Sequence, residues 1–142
     1  MNWKDETIEK LRRYPLMFHS AAAIPKELAR LEEEARSLNA VTPGGGGSRK
    51  VRAQENRLLD NLTQRQELEQ QLDRVRSWVE ATGDAIALLE PQEQKILRLL
   101  YMEGADATAV SRELGVERSS LYRLRDMALR KLTLAMYGGI ES

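Results

Sequence analysis

The sequence predicts an all-α protein in which an N-terminal antiparallel helical hairpin is followed by a C-terminal helix-turn-helix domain. Three observations carry this expectation. On both sides of a glycine-rich break, Thr42-Pro43-Gly44-Gly45-Gly46-Gly47-Ser48, apolar residues recur at alternating three- and four-residue steps, the stepping of a buried helical stripe. The last third, Leu88 to Leu132, reads as three helices. Within it, two apolar stripes face each other across a turn at Gly115, as in two helices joined at a steep angle. Residues 1–83 are expected to form the hairpin and oligomerisation region and residues 84–142 the helix-turn-helix domain.

The first 23 residues hold Trp3, Ile8, Leu11, Tyr14, Met17 and Phe18, the apolar positions of a short amphipathic helix that Pro15 is expected to break or kink. This cluster is read as a core-packing segment; an exposed version would be a surface for a partner such as a polymerase. The next helix is expected to start near Pro25, because proline suits a first turn. Ile24, Leu28, Leu31, Ala35 and Leu38 give it one apolar seam.

Four consecutive glycines make a helix across residues 42–48 very costly, and the composition is that of a flexible loop. A phosphate-binding loop is not supported. That pattern needs a preceding strand and a Gly-Lys-Ser/Thr ending, whereas Ser48-Arg49-Lys50 follows helical sequence. Beyond the loop, Leu68, Leu72, Val75 and Val79 repeat the earlier stepping, with Leu58, Leu59 and Leu62 extending the apolar surface upstream. Arg65 interrupts the seam, setting its register or lying at a wet edge. Two such helices close into an antiparallel hairpin. A hairpin alone buries little area and needs a second copy or the C-terminal domain, so a homodimer through the N-terminal helices is expected.

In the last third, Ala107, Val110 and Leu114, then Val116, Leu121, Leu124, Ala128 and Leu132, are spaced so that each helix turns its stripe toward the other. Gly115 serves as the hinge, since glycine takes a positive φ without a Cβ clash. Ala109 is small enough to let the second helix approach closely. Glu117 and Ser119 lie where side-chain oxygens accept the unpaired N–H groups of a first turn.

The outer face of this second helix carries the functional inference. Arg118, Ser119, Ser120, Tyr122, Arg123 and Asp126 fall between the buried positions, near the end that recognition helices present to base edges. Arginine matches the acceptor pair of guanine, and serine suits phosphate. Arg125, Arg130 and Lys131 are expected to hold phosphates. From Arg118 to Lys131 there are five basic residues against one acid, although the region from Asp84 onward holds eight basic and nine acidic residues. Any positive field is therefore local to this helix. The alternative is a solvated face of an ordinary bundle, which has no reason to combine the small residue, the glycine turn and the arginine-bearing face.

Glu90-Pro91-Gln92-Glu93-Gln94 with Ile96-Leu97 and Leu100-Tyr101, then Glu103-Gly104, then Ala109-Val110-Ser111-Arg112-Glu113-Leu114-Gly115-Val116, Ser119-Ser120-Leu121-Tyr122-Arg123 and Ala128-Leu129-Arg130-Lys131-Leu132, resemble region 4 of bacterial sigma-70-type factors. The resemblance covers roughly the last 45 to 50 residues. A long helical half before such a motif is similar to the ArpU and RinA type of phage late-gene transcriptional regulators. What the resemblance implies is a phage-encoded, DNA-binding regulator acting in the bacterial cytoplasm.

Composition is consistent with this expectation. The 142 residues are 42% hydrophobic and 31% charged, with a net charge of zero, which disfavours coating nucleic acid through bulk charge and favours docking through one patch. There is no cysteine, which excludes disulfides and thiolate metal sites. The apolar runs are far below the roughly 18 residues of a spanning helix, and the charged start does not resemble a signal peptide. His19 is the only histidine, so no paired-imidazole site exists, and the serines have no base beside them in the pattern. No catalytic residue, metal or cofactor is expected.

The favoured function is a dimeric regulator that binds double-stranded DNA and recruits or positions RNA polymerase. The alternatives are a phage small terminase subunit recognising packaging DNA and a sigma-region mimic that binds polymerase without touching DNA.

Overall fold

The computed structural model describes residues 2–40 and 47–138. These are all-helical, with no strand among them. Five helices follow in order: α1, Trp3–Ala40; α2, Ser48–Ala87; α3, Pro91–Leu97, continued by a π-helical turn over Arg98–Met102; α4, Ala107–Leu114; and α5, Arg118–Tyr137. No helix among the described residues is long and apolar enough to cross a membrane. Of the loop expected over 42–48, residues 42–46 lie outside the described set, and Ser48 already opens α2.

α1 corrects two expectations at once. Pro15 does not break it, and it is already helical at Pro25, where a helix was expected to begin. An internal proline removes one backbone hydrogen bond and costs about 3 kcal/mol, so the flanking residues must compensate. Leu11 is fully buried before Pro15, and Ile24 and Leu28 are buried on either side of Pro25; each such side chain contributes about 1.5–3 kcal/mol. The true start is at Trp3, where the Asp5 N–H donates to Asn2 Oδ1 at 2.9 Å. Asp5 and Glu6 add negative charge to the first turn, where it favours the helix dipole.

The chain divides into two compact units, residues 19–76 and residues 1–18 with 77–142. The expected boundary after Gly83 instead falls inside α2. Glycine in mid-helix costs about 1 kcal/mol, but here it has a packing reason: a Cβ at Gly83 would stand 2.9 Å from Tyr14 Oη. The Tyr14 ring in turn lies against Trp78 and Phe18, with centroids 6.4 and 6.1 Å away.

In the unit of residues 19–76, α1 contributes the buried Ile24, Leu28, Leu31 and Ala35, and α2 contributes Leu72 and Val75. The two helices run in opposite directions. Asn61 Nδ2 donates to the Leu31 carbonyl at 2.9 Å, and Gln54 Nε2 donates to the Leu38 carbonyl, so seven residues back along α2 correspond to seven forward along α1. Asn61 is itself buried within the apolar seam and accepts from Arg65 Nε at 2.7 Å. Arg65 thus completes the hydrogen bonding of a buried amide, a device that specifies register in paired helices.

The other unit is organised around two clusters. Leu11, Ala85, Leu89, Leu97, Ala128, Leu129 and Leu132 pack together, with Trp3, Ile8, Tyr101 and Met136 against them. Ile96, Leu99, Val110 and Leu121 form the second, bordered by Ala107, Leu114, Val116 and Leu124. The start of α1 therefore builds core with α5, which accounts for Trp3, Ile8 and Leu11 in the otherwise ambiguous first segment. Phe18 is 59% exposed.

Candidate nucleic-acid interface

α4 begins at Asp106, whose Oδ1 accepts the Ala109 N–H at 2.8 Å, satisfying one orphan donor of the first turn. It ends at Gly115, with φ of 68°. The Gly115 and Val116 N–H groups return to the carbonyls of Arg112 and Ser111 at 3.2 and 3.0 Å, a closure that depends on the left-handed residue. Glu117 is extended and opens α5, but its side chain makes no capping hydrogen bond. Glu117 is thus the cap by position only. Ala109, expected at the packed interface, is exposed; Val110 and Ser111 take the buried positions.

On the inner side of α5, Leu121, Ala128, Leu129 and Leu132 are fully buried. Of the polar residues, Arg118, Ser119, Arg123, Arg130 and Lys131 are exposed, and Ser120, Tyr122, Arg125 and Asp126 are half-buried. All nine candidate residues therefore retain a surface, but they are not equivalent.

Three of them form one assembly. Arg118 Nη2 donates to Tyr122 Oη at 2.9 Å. The guanidinium carbons of Arg118 and Arg125 lie 5.8 and 4.9 Å from the Tyr122 ring centroid, within range of the attraction between a cation and an aromatic face. The Tyr122 hydroxyl beside Arg118 pushes the arginine's pKa further up, although a guanidinium is cationic with or without that contact.

Asp126 is engaged by the protein's own cations. Arg125 donates to its Oδ1 from Nε and Nη2 at 3.0 and 2.9 Å, and Lys4 Nζ lies 3.0 Å away. Partial burial pushes the carboxyl up, but hydrogen bonds from Lys4 and Arg125 outweigh it and hold the group below its usual range. Farther along α5, Lys131 Nζ pairs with the buried Glu93 at 3.1 Å, and the Arg130 guanidinium sits 5.7 Å from the Trp3 ring centroid. Arg123 makes no ion pair or side-chain hydrogen bond among the described residues and stands exposed with Ser119, one helical turn before it.

The residues that sequence reasoning missed are the ones that hold this face in place. Lys4, Trp3, Glu93 and Tyr101 all contact it. Tyr101 is half-buried, and its phenol is pushed up by burial while Arg125 draws it down. Glu93 had a local signal: it accepts the Glu90 N–H at 3.0 Å, the first-turn arrangement that Glu at the third helical position favours. Lys4 and Trp3 had none, because their contacts join opposite ends of the chain. No family model, curated protein or solved structure matches this chain.

Proposed function

We propose that the chain is a sequence-specific DNA-binding transcriptional regulator, phage-encoded and acting on late packaging and lysis genes in the bacterial cytoplasm. In this reading α1 and α2 form the N-terminal helical hairpin, which joins two copies. α4, the Gly115 turn and α5 form a sigma region 4-like helix-turn-helix, with α5 as the helix that enters the major groove. The late-gene assignment rests on the resemblance of the sequence to that class of regulators.

One observation carries the DNA-binding part. α5 is fully buried along Leu121, Ala128, Leu129 and Leu132, while the opposite side of its first half presents Ser119 and Arg123 to solvent, with Arg118 exposed in its first turn. A rigidly seated helix with an uncommitted arginine and a serine one turn apart has the groups needed for base-edge and phosphate hydrogen bonds. Arg123 and Ser119 are assigned to the bases, with Ser120 and Tyr122 beside them. Arg118, Arg125, Arg130 and Lys131 are assigned to phosphates. Asp126 is assigned to positioning Arg125, since a carboxylate held by two cations is poorly placed to accept from a cytosine amine.

The test is a mobility shift on the DNA upstream of the neighbouring operon. Arg123→Ala is expected to lose about 1–3 kcal/mol of specific binding with unchanged thermal stability. Equal binding by the two proteins removes α5 as the reading helix.

A further inference from the structure

The α2 segment between Arg52 and Glu69 carries a second heptad seam that the described residues leave uncovered. The first seam, Gln54, Leu58, Asn61, Arg65, Leu68, Leu72 and Val75, is buried or half-buried throughout, as expected for the side that faces α1. The second runs Arg52, Glu55, Leu59, Leu62, Gln66 and Glu69, stepping three, four, three, four and three, and all six residues are exposed. Leu59 is 60% and Leu62 41% exposed at its centre. An alternating three-four repeat keeps one face of a helix against a straight partner over several turns.

The charges on this face say what covers it. Leucines occupy the middle, Arg52 lies at one end and Glu69 at the other. If a second α2 is laid antiparallel across a two-fold axis between Leu59 and Leu62, Leu59 of each copy meets Leu62 of the other. Glu55 then faces Gln66, and Arg52 faces Glu69, twice over. A parallel alignment would instead set Arg52 against Arg52 and Glu69 against Glu69. On one flank lie half-buried Leu58 and Arg65, the latter engaged with Asn61, and on the other the uncharged Asn56, Thr63 and Gln70.

We propose that this face is a self-complementary interface for a second copy of the chain, paired antiparallel with Leu59 against Leu62 and Arg52 against Glu69. A two-fold interface requires one patch to complement itself, and this pattern does so in one orientation only. The assignment deepens the homodimer part of the proposed function, but its physical basis lies wholly in the unit of residues 19–76 and does not depend on DNA contact. Only four leucines lie at its centre, so the dimer is expected to be reversible and concentration-dependent.

Sedimentation equilibrium of the full chain over a wide concentration range tests it. The wild type is expected to pass from monomer to dimer, and Leu59→Lys/Leu62→Lys to weaken that step at least ~100-fold, with helicity by circular dichroism unchanged because both side chains are exposed. Arg52→Glu and Glu69→Arg should each weaken the dimer by about 3- to 10-fold, and the double variant should recover it. A monomer at every concentration, a higher oligomer, or a dimer indifferent to the leucine substitutions overturns the proposal; so does failure of the charge swap to recover. Arg123→Ala should leave the mass unchanged, so loss of DNA binding and loss of the dimer are read separately.

Discussion

Lys4 Nζ lies 3.0 Å from Asp126 Oδ1, so the first turn of α1 holds the middle of α5 at the same carboxylate that Arg125 contacts twice. Through Arg125 the link continues to the Tyr122 ring and to Arg118. The orientation of the candidate reading helix is thus tied to the N-terminal residues of the protein.

This pair gives a pH signature. The folded-state pKa of Asp126 is depressed, chiefly because the hydrogen bonds from Lys4 and Arg125 overcome the effect of burial. A depressed carboxyl contributes stability that is present above its unfolded pKa and lost as pH falls through the folded value. Thermal unfolding of the wild type and Asp126→Asn should therefore differ near neutral pH, by at most about 1 kcal/mol for a pair this exposed. The difference should close well below about pH 4. A gap that persists at low pH would show that charge is not what Asp126 supplies.

Thr7 and Thr133 make a second link between the chain ends, with Oγ1 atoms 2.6 Å apart and both residues buried. Each hydroxyl is also placed to donate within its own helix, Thr7 to the Trp3 carbonyl at 2.9 Å and Thr133 to the Leu129 carbonyl at 2.7 Å. Two protons serve three contacts, because a hydroxyl has only one to give. Either threonine changed to valine should cost about 1–2 kcal/mol by leaving its partner underserved. The double change should cost less than the sum, as read from urea unfolding; strict additivity would mean that the hydroxyls do not interact.

Gly83 and Tyr14 form a steric pair. Gly83→Ala gains about 1 kcal/mol of helix propensity, offset by the 2.9 Å approach of the new Cβ to Tyr14 Oη. In a Tyr14→Phe background that obstacle is gone, and the same substitution should stabilise by about 1 kcal/mol. If Gly83→Ala has the same effect in both backgrounds, the hydroxyl is not the constraint.

At Gly115 the cost is purely one of backbone. Beyond the glycine and its chain neighbours, no described atom lies within 4 Å of an added Cβ, but φ is 68°. Gly115→Ala should destabilise by about 1–2 kcal/mol, and Gly115→Asn by less, since asparagine tolerates the left-handed region better. Equal losses in thermal melts would place the penalty elsewhere than in φ.

The C-terminal helices were legible in the sequence at nearly every apolar position. Ala107, Val110, Leu114, Val116, Leu121, Leu124, Ala128 and Leu132 are all buried or half-buried, and Gly115 takes the positive φ that the turn required. Periodicity is a local signal, and these helices are short enough for local signals to govern them. α1 was not legible in the same way. Pro15 and Pro25 are strong local punctuation, and what overrides them is packing by Leu11, Ile24 and Leu28, which no window of sequence contains. The π-helical turn at Arg98–Met102 was likewise invisible; it closes with the Glu103 N–H on the Arg98 carbonyl at 2.9 Å and Gly104 at a φ of 72°.

By itself, then, the sequence determined that this chain is helical, where the buried stripes of its C-terminal helices run, and which polar residues of α5 reach the surface. These follow from the 3.6-residue period and from the conformational freedom of glycine, both properties of neighbours along the chain. Only the tertiary structure decided which of those outer residues are already occupied. Asp126 and Lys131 are matched by Lys4 and Glu93, partners that come within reach only when distant segments pack together, whereas Arg123 is left uncommitted among the described residues.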